Sequence, residues 1–294
     1  MVTRFVLAAI VACCFSLLGH ADATCVQDDR DKTLCLEKSA SRIIALSPGA
    51  TELVYAAGAG DHLIAAVTFS DYPDAAQKLP RVGSYNRFDL EAILSLKPDL
   101  LIGWHSGNPV EQLAQLESLG LTVYYSELRG FADVASTLRR LGKLAATEAT
   151  AETAASEFEN GIDELRNRYS NAKPVRVFQQ IWENPLMTVN DEHLISEATR
   201  LCGGVNVFGA LPRLAARIDH EAVLAADPEA IIAGGMGEEN RDWLDAWLPY
   251  SGLIAVQRNN LFFVPPSTLQ RPTPRLLEGT RLLCQHLETA RARR

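Results

Sequence analysis

No familiar catalytic signature runs through this chain of 294 residues. Gly-x-Ser-x-Gly, His-Glu-x-x-His, the phosphate loop Gly-x-x-x-x-Gly-Lys and the dinucleotide fingerprint Gly-x-Gly-x-x-Gly are all absent. An enzyme would need a nucleophile with its base, a metal cluster or a phosphate cradle, and none has convincing spacing here. Gly234-Gly235-Met236-Gly237 follows a strand-like run but lacks the downstream pattern of a nucleotide site, and reads as a flexible loop. There is no Cys-x-x-Cys pair and no neighbouring pair of histidines, which argues against structural zinc. Positive charge is in deficit: 28 Lys and Arg against 36 Asp and Glu leave a formal charge of −8, so nucleic acid is not an expected partner. Beyond the first two dozen residues no apolar run approaches the roughly 20 residues a spanning helix needs.

What is present begins with an export signal. Arg4 supplies a positive start, residues 5–18 are apolar apart from Ser16, and Ala21-Asp22-Ala23 has the small-x-small form of a processing site. Cleavage after Ala23 is expected, giving a periplasmic chain that begins at Thr24. Ile10-Val11-Ala12-Cys13 also resembles a lipoprotein box, but it falls early and would cut the apolar region in half. Four cysteines then remain, Cys25, Cys35, Cys202 and Cys284, an even number in an oxidising compartment. Three pairings are open. Cys25 and Cys35 flank a polar, turn-like stretch suited to a hairpin, which leaves Cys202 with Cys284.

Short apolar runs alternate with helix-like spacing along the rest of the chain. Residues 42–46, 63–68, 99–104 and 121–125 read as strands, with helices at 51–57 and 110–119; strands at 175–181, 197–202, 230–233 and 261–264 follow, before a closing helix at 275–287. This rhythm indicates parallel sheets buried on both faces. Between them, residues 131–169 are Ala- and Glu-rich, helical and free of strand candidates. The expected fold is therefore α/β: a 24–130 lobe with the cysteine hairpin, a 131–172 helical connector and a 173–294 lobe, with a ligand cleft between the lobes.

An internal repeat supports the division. Asp89-Leu90-Glu91-Ala92-Ile93-Leu94 leads to Lys97-Pro98-Asp99 and a strand, and Asp219-His220-Glu221-Ala222-Val223-Leu224 leads in the same register to Asp227-Pro228-Glu229 and a strand. In each copy the Asp can cap a short helix whose apolar residues face the sheet. The histidines of the mature chain, His62, His105, His193, His220 and His286, are scattered and read as surface or capping residues; His105 stands out for its place at a strand end. Aromatics are the stronger signal. Phe69, Tyr72, Tyr85, Trp104 and Trp182 lie at or just beyond strand ends, where α/β sheets hold ligands, and their rings suit a broad apolar one.

The motifs Arg42-Ile43-Ile44-Ala45-Leu46-Ser47-Pro48 with Thr51-Glu52-Leu53, Ser70-Asp71-Tyr72-Pro73, and Leu90-Glu91 with Leu96-Lys97-Pro98-Asp99-Leu100 resemble the vitamin B12-binding receptors of cobalamin ABC importers. So do Arg176-Val177-Phe178 with Asn184-Pro185, Cys202-Gly203-Gly204 with Asn206-Val207-Phe208, and Pro274-Arg275 with Leu283-Cys284. The likeness spans about residues 39–288 and implies two lobes bridged by one long helix, a corrinoid lying flat in a largely preformed cleft, and no catalysis or cofactor of the protein's own. It implies a monomer that works with permease subunits in the inner membrane. Carried over position by position, it assigns ligand contact to Phe69, Tyr85, Trp104 and Arg271, with Trp182 as an additional aromatic, and permease docking to Glu91 and Glu221. Two departures stand out: the tryptophans of the family near Ala215 and Thr268 are missing. The Cys25 to Cys35 hairpin resembles the iron-siderophore and haem branch of the same fold, which supplies the alternative ligand class.

Overall fold

The computed structural model describes residues 23–235 and 237–294. The leader with its Cys13 box, and Met236 of the glycine-containing loop, lie outside the described residues. A hairpin opens the described chain: β1 (Thr24–Gln27) and β2 (Thr33–Leu36) pair antiparallel, Cys25 lies opposite Cys35, and the two are disulfide-bonded. The first lobe then runs β3 (Ile43–Ala45), α1 (Pro48–Ala56), β4 (Leu63–Ala66), β5 (Gly83–Ser84), β6 (Arg87–Phe88), α2 (Leu90–Ser95), β7 (Leu100–Trp104), α3 (Val110–Ser118) and β8 (Val123–Ser126). Two helices follow, α4 (Phe131–Ala145) and α5 (Glu148–Tyr169). The second lobe comprises β9 (Val175–Gln180), β10 (Met187–Val189), α6 (Leu194–Leu201), β11 (Gly204–Asn206), β12 (Ala215–Arg217), α7 (His220–Ala226), β13 (Ala230–Ala233), α8 (Asp242–Asp245), α9 (Ile254–Gln257), β14 (Leu261–Phe263), α10 (Pro266–Leu269) and α11 (Leu276–Ala292).

Each lobe is built on a four-stranded parallel sheet, ordered β4-β3-β7-β8 in the first and β11-β9-β13-β14 in the second. The two orders are the same when the strands of each lobe are counted in sequence. Both faces are covered by helices, which is why β3 and β13 consist entirely of buried apolar residues. The hairpin closes one open edge: the Asp29 N–H donates to the Tyr125 carbonyl of β8 at 3.0 Å, and the Asp29 carboxylate accepts from the Glu127 N–H.

The sequence repeat is a structural one. Asp89 caps α2 by accepting from Ala92 N–H, and Asp219 caps α7 by accepting from Ala222 N–H. Lys97 and Asp227, each just before its proline, both take positive φ (47° and 41°), the left-handed turn that leads out of the helix. Arg42 then donates to the Leu96 and Lys97 carbonyls while the Asp99 carboxylate accepts from the Arg42 N–H. Arg176 does the same with Ala226, Asp227 and Glu229.

The 131–172 stretch contains two helices. α4 is strongly amphipathic and packs on α1 and β1, so it covers the first lobe. α5, 22 residues and about 33 Å long, touches α1 and α4 on one side and α6 and α11 on the other. Glycines permit these close passes: a methyl group at Gly142 of α4 would meet Ala151 of α5, and one at Gly161 of α5 would meet Leu277 of α11. A second disulfide joins Cys202, just after α6, to Cys284 in α11.

One expected element is of the wrong type. Residues 197–202 belong to α6 and its C-cap, and the strand comes later, at β11. The run is short enough to suit either structure, but Leu194, Ile195 and Ala198 bury a helical face, and Gly203 at φ 73° makes the turn into the strand.

Candidate functional site

In a 2-1-3-4 parallel sheet the chain leaves the first and third strands in opposite directions, and a crevice opens at their carboxyl ends. In the first lobe these are the ends of β3 and β7. One buried side chain, Asn108, fills that position. Its Oδ1 accepts from the Trp104 N–H at 2.6 Å, and its Nδ2 donates to the carbonyls of Leu46 (3.0 Å) and Tyr85 (2.7 Å). Asn108 thus pins the end of β3, the β5–β6 turn and the end of β7 together. The Tyr85 and Trp104 rings project from this clamp with centroids 6.3 Å apart, and both are partly exposed.

Phe69, in the loop after β4, is 71 % exposed and has φ 63°. A bulky residue in the left-handed region is a genuine outlier, and such strain, of order 1–3 kcal/mol, collects at binding sites. Three contacts hold the loop. The Ser70 and Thr51 hydroxyls bond at 2.9 Å, Arg81 donates to the Ser70 carbonyl, and Arg271 donates to the Phe69 carbonyl. Trp182 follows β9 in the second lobe; its indole N–H donates to the Asn184 carbonyl, its ring packs edge-on against Trp243, and it is half-exposed. Ala215 is exposed and Thr268 buried, its hydroxyl on the Pro265 carbonyl, so neither position offers a ring.

The structure brings Arg271 to the first lobe. Its Nη1 lies 2.9 Å from both Glu52 Oε1 of α1 and Asp71 Oδ1. Glu52 also accepts from Thr273 Oγ1 at 2.9 Å and lies 3.6 Å from Arg275, whose guanidinium sits over the Tyr72 ring. Burial pushes the Glu52 carboxyl above its ordinary range, against the opposing effect of its donors. Burial also works against the charge of Arg271, but its bonds to Asp71 and Glu52 win and raise it. The cationic groups of this region are thereby largely neutralised.

Glu91 and Glu221 are exposed at equivalent second positions of α2 and α7. Beside Glu91 is an open concavity of about 620 Å³ lined by Gly83, Ser84, Arg87 and Phe88. His105 is exposed with its ring edge-on to Tyr125, and His193 caps α6. Asn108 does not stand out in the sequence, and Glu52 does so only within the Thr51-Glu52-Leu53 motif, with no role attached. Asn108 left one local trace, the turn-forming Asn-Pro dipeptide with Pro109. Nothing local to Glu52 points to its partners, which lie more than two hundred residues away.

Residues 43–268 match the sequence profile of the family described as periplasmic binding protein. The chain is 38 % identical over 251 residues to the vitamin B12-binding protein of Vibrio cholerae, covering 85 % of this chain and 90 % of that one. Its structure is similar to the crystal structure of the periplasmic vitamin B12 binding protein BtuF of Vibrio cholerae, with a TM-score of 0.79 and 36 % identity over 86 % of this chain and 98 % of that one. The periplasmic heme-binding protein RhuT from Roseiflexus sp. RS-1 has the same fold, with a TM-score of 0.76 at 22 % identity over 86 % of this chain and all of that one.

Proposed function

The chain belongs to the periplasmic binding protein family, and from that premise we propose that it captures a corrinoid, vitamin B12 or a close analogue, and delivers it to the permease of an ABC importer. The observation that carries this reading is the switch-point cluster, in which Asn108 fixes the exposed Tyr85 and Trp104 rings at the mouth of the first sheet. Together with the exposed rings of Phe69 and Trp182 they supply the aromatic area a flat macrocycle would need. An anionic ferric siderophore would call for free cations, whereas Arg271 and Arg275 are engaged by Glu52 and Asp71. Arg271 then supports the cleft more than it grips the ligand.

The remainder follows from the same reading. The corrinoid is cargo; the protein acts as a monomer, holds no cofactor of its own, performs no catalysis and does not bind nucleic acid. It is exported, with its leader removed after Ala23, and Glu91 and Glu221 are the paired contacts for the permease.

Incubation of the purified mature protein with cyanocobalamin, haemin or a ferric siderophore, followed by desalting, tests the assignment. Retained corrinoid absorbance at one equivalent per chain is the expected outcome. Retention of haemin or the ferric chelate alone would assign the cleft to that ligand class instead.

A further inference from the structure

Capture in a preformed cleft needs its two walls held at a set spacing, and one buried carboxylate joins them. Glu52, only 3 % exposed, belongs to the first lobe, yet its carboxylate is held by Arg271, Thr273 and Arg275, all from the segment between α10 and α11 of the second. The two arginines continue past it. Arg271 reaches the Asp71 carboxylate and the Phe69 carbonyl, and Arg275 lies over the Tyr72 ring at 4.2 Å. Gly49, at the start of α1, lies where an added methyl group would touch Pro272 and Thr273, so the backbones are in near contact at the same place.

We propose that Glu52 is the positioning residue of the ligand cleft: through Arg271 and Arg275 it holds the 69–72 loop of the first lobe against the second, so that Phe69 and the interlobe spacing are set before ligand arrives. The inference rests on the corrinoid-capture reading for its ligand but not for its geometry. Buried ion pairs return little net stability, because desolvation offsets their attraction, and well-packed apolar groups often do as well. The distinctive effect of this one is to define a geometry across two lobes. Phe69 fits that role, since its left-handed backbone conformation persists only where surrounding bonds over-determine it.

The test uses the full mature protein, cyanocobalamin as probe, and two substitutions. Glu52→Gln keeps the shape and removes the charge; Asp71→Asn, at an exposed carboxylate, loosens one arm without touching the core. Small-angle scattering of the ligand-free proteins reads the lobe spacing, calorimetric titration reads affinity, and urea unfolding reads the fold. Glu52→Gln is expected to change the ligand-free radius of gyration and to weaken cyanocobalamin binding by about ten-fold or more, and Asp71→Asn by a few-fold, both with a cooperative urea transition retained. Unchanged scattering and affinity in Glu52→Gln would overturn the assignment. Should that variant fail to fold, unchanged scattering and affinity in Asp71→Asn would overturn it. If the unsubstituted protein does not bind cyanocobalamin, the capture reading fails, while the ligand-free scattering still decides the role of Glu52.

Discussion

Replacing Asn108 tests the geometry of the first-lobe site most directly. Its side chain makes three hydrogen bonds, at 2.6, 2.7 and 3.0 Å, to three different stretches of chain. At about 1 kcal/mol net for each, Asn108→Ala should cost about 3 kcal/mol of folding stability. Water entering beside the exposed Tyr85 and Trp104 can recover part of this, whereas the Leu46 carbonyl lies in the interior. Asn108→Asp is the sharper probe. It still accepts from the Trp104 N–H but turns a negative oxygen toward the carbonyls of Leu46 and Tyr85, so it should destabilise more than alanine despite its closer shape. Both variants release the Tyr85 backbone, and the alanine releases the Trp104 N–H as well, so cyanocobalamin affinity should fall by about ten-fold, close to 1.4 kcal/mol. Urea unfolding followed by circular dichroism gives the stabilities, and calorimetric titration the affinities. An aspartate variant as stable as the native protein, or an alanine variant with native affinity, would refute the clamp.

Trp104→Ala and Tyr85→Ala should each weaken cyanocobalamin binding by about 1–3 kcal/mol in calorimetric titration with little change in the urea midpoint, since partly exposed rings are removed. Breaking the Cys202–Cys284 bond with paired serines opens a span of 82 residues and should cost about 4.5 kcal/mol in the chain-entropy model, read by urea unfolding. Reversing both docking charges with Glu91→Lys and Glu221→Lys should preserve folding and ligand affinity but abolish growth that depends on imported corrinoid; normal growth would remove the docking role. His193 supplies a pH prediction. Its Nδ1 accepts from the Ile195 N–H, and burial holds its protonation down to about 4. A histidine in the unfolded chain protonates near pH 6.5, so this contribution is complete above 6.5 and lost as pH falls toward 4, on the order of 3 kcal/mol in all. In His193→Asn, which keeps a capping acceptor, the decline in urea midpoint between pH 7 and pH 5 should be shallower; an identical decline would refute the assignment.

The strands legible in the sequence are those whose whole length is buried and apolar, such as Ile43–Ala45 and Ala230–Ala233, while the aromatic residues stand out at or beyond the ends of other strands, Trp104 closing β7 and Trp182 following β9. The repeat was legible because its cap, glutamate and proline keep one register, and the structure extends it to Arg42 and Arg176, which sequence reading did not couple to it. Residues 197–202 suit a strand by pattern yet fold as helix, because an apolar stretch of that length shows too little periodicity to separate a helix face from a strand. The division of 131–172 into α4 and α5 turns on Ala146, which takes a left-handed conformation that alanine does not advertise. The partners of Glu52 and Asn108 are hidden for another reason. A polar residue that bonds distant backbone or side chains carries no local pattern, and only folding reveals its partners.

The shared strand order of the two sheets, and the matching corner bonds of Arg42 and Arg176, give the two lobes one plan carried out twice. Two identical lobes would place the crevice between them on a molecular dyad, able to offer a guest only paired, identical contacts. A single polypeptide gives each lobe its own sequence, so the two need not match. The difference is visible in the exposed rings: Phe69, Tyr85 and Trp104 belong to the first lobe, while the second has Trp182 and, at Ala215 and Thr268, no ring. A corrinoid has dissimilar faces and edges, and a crevice that has lost its symmetry can distinguish one orientation of such a guest from the reverse.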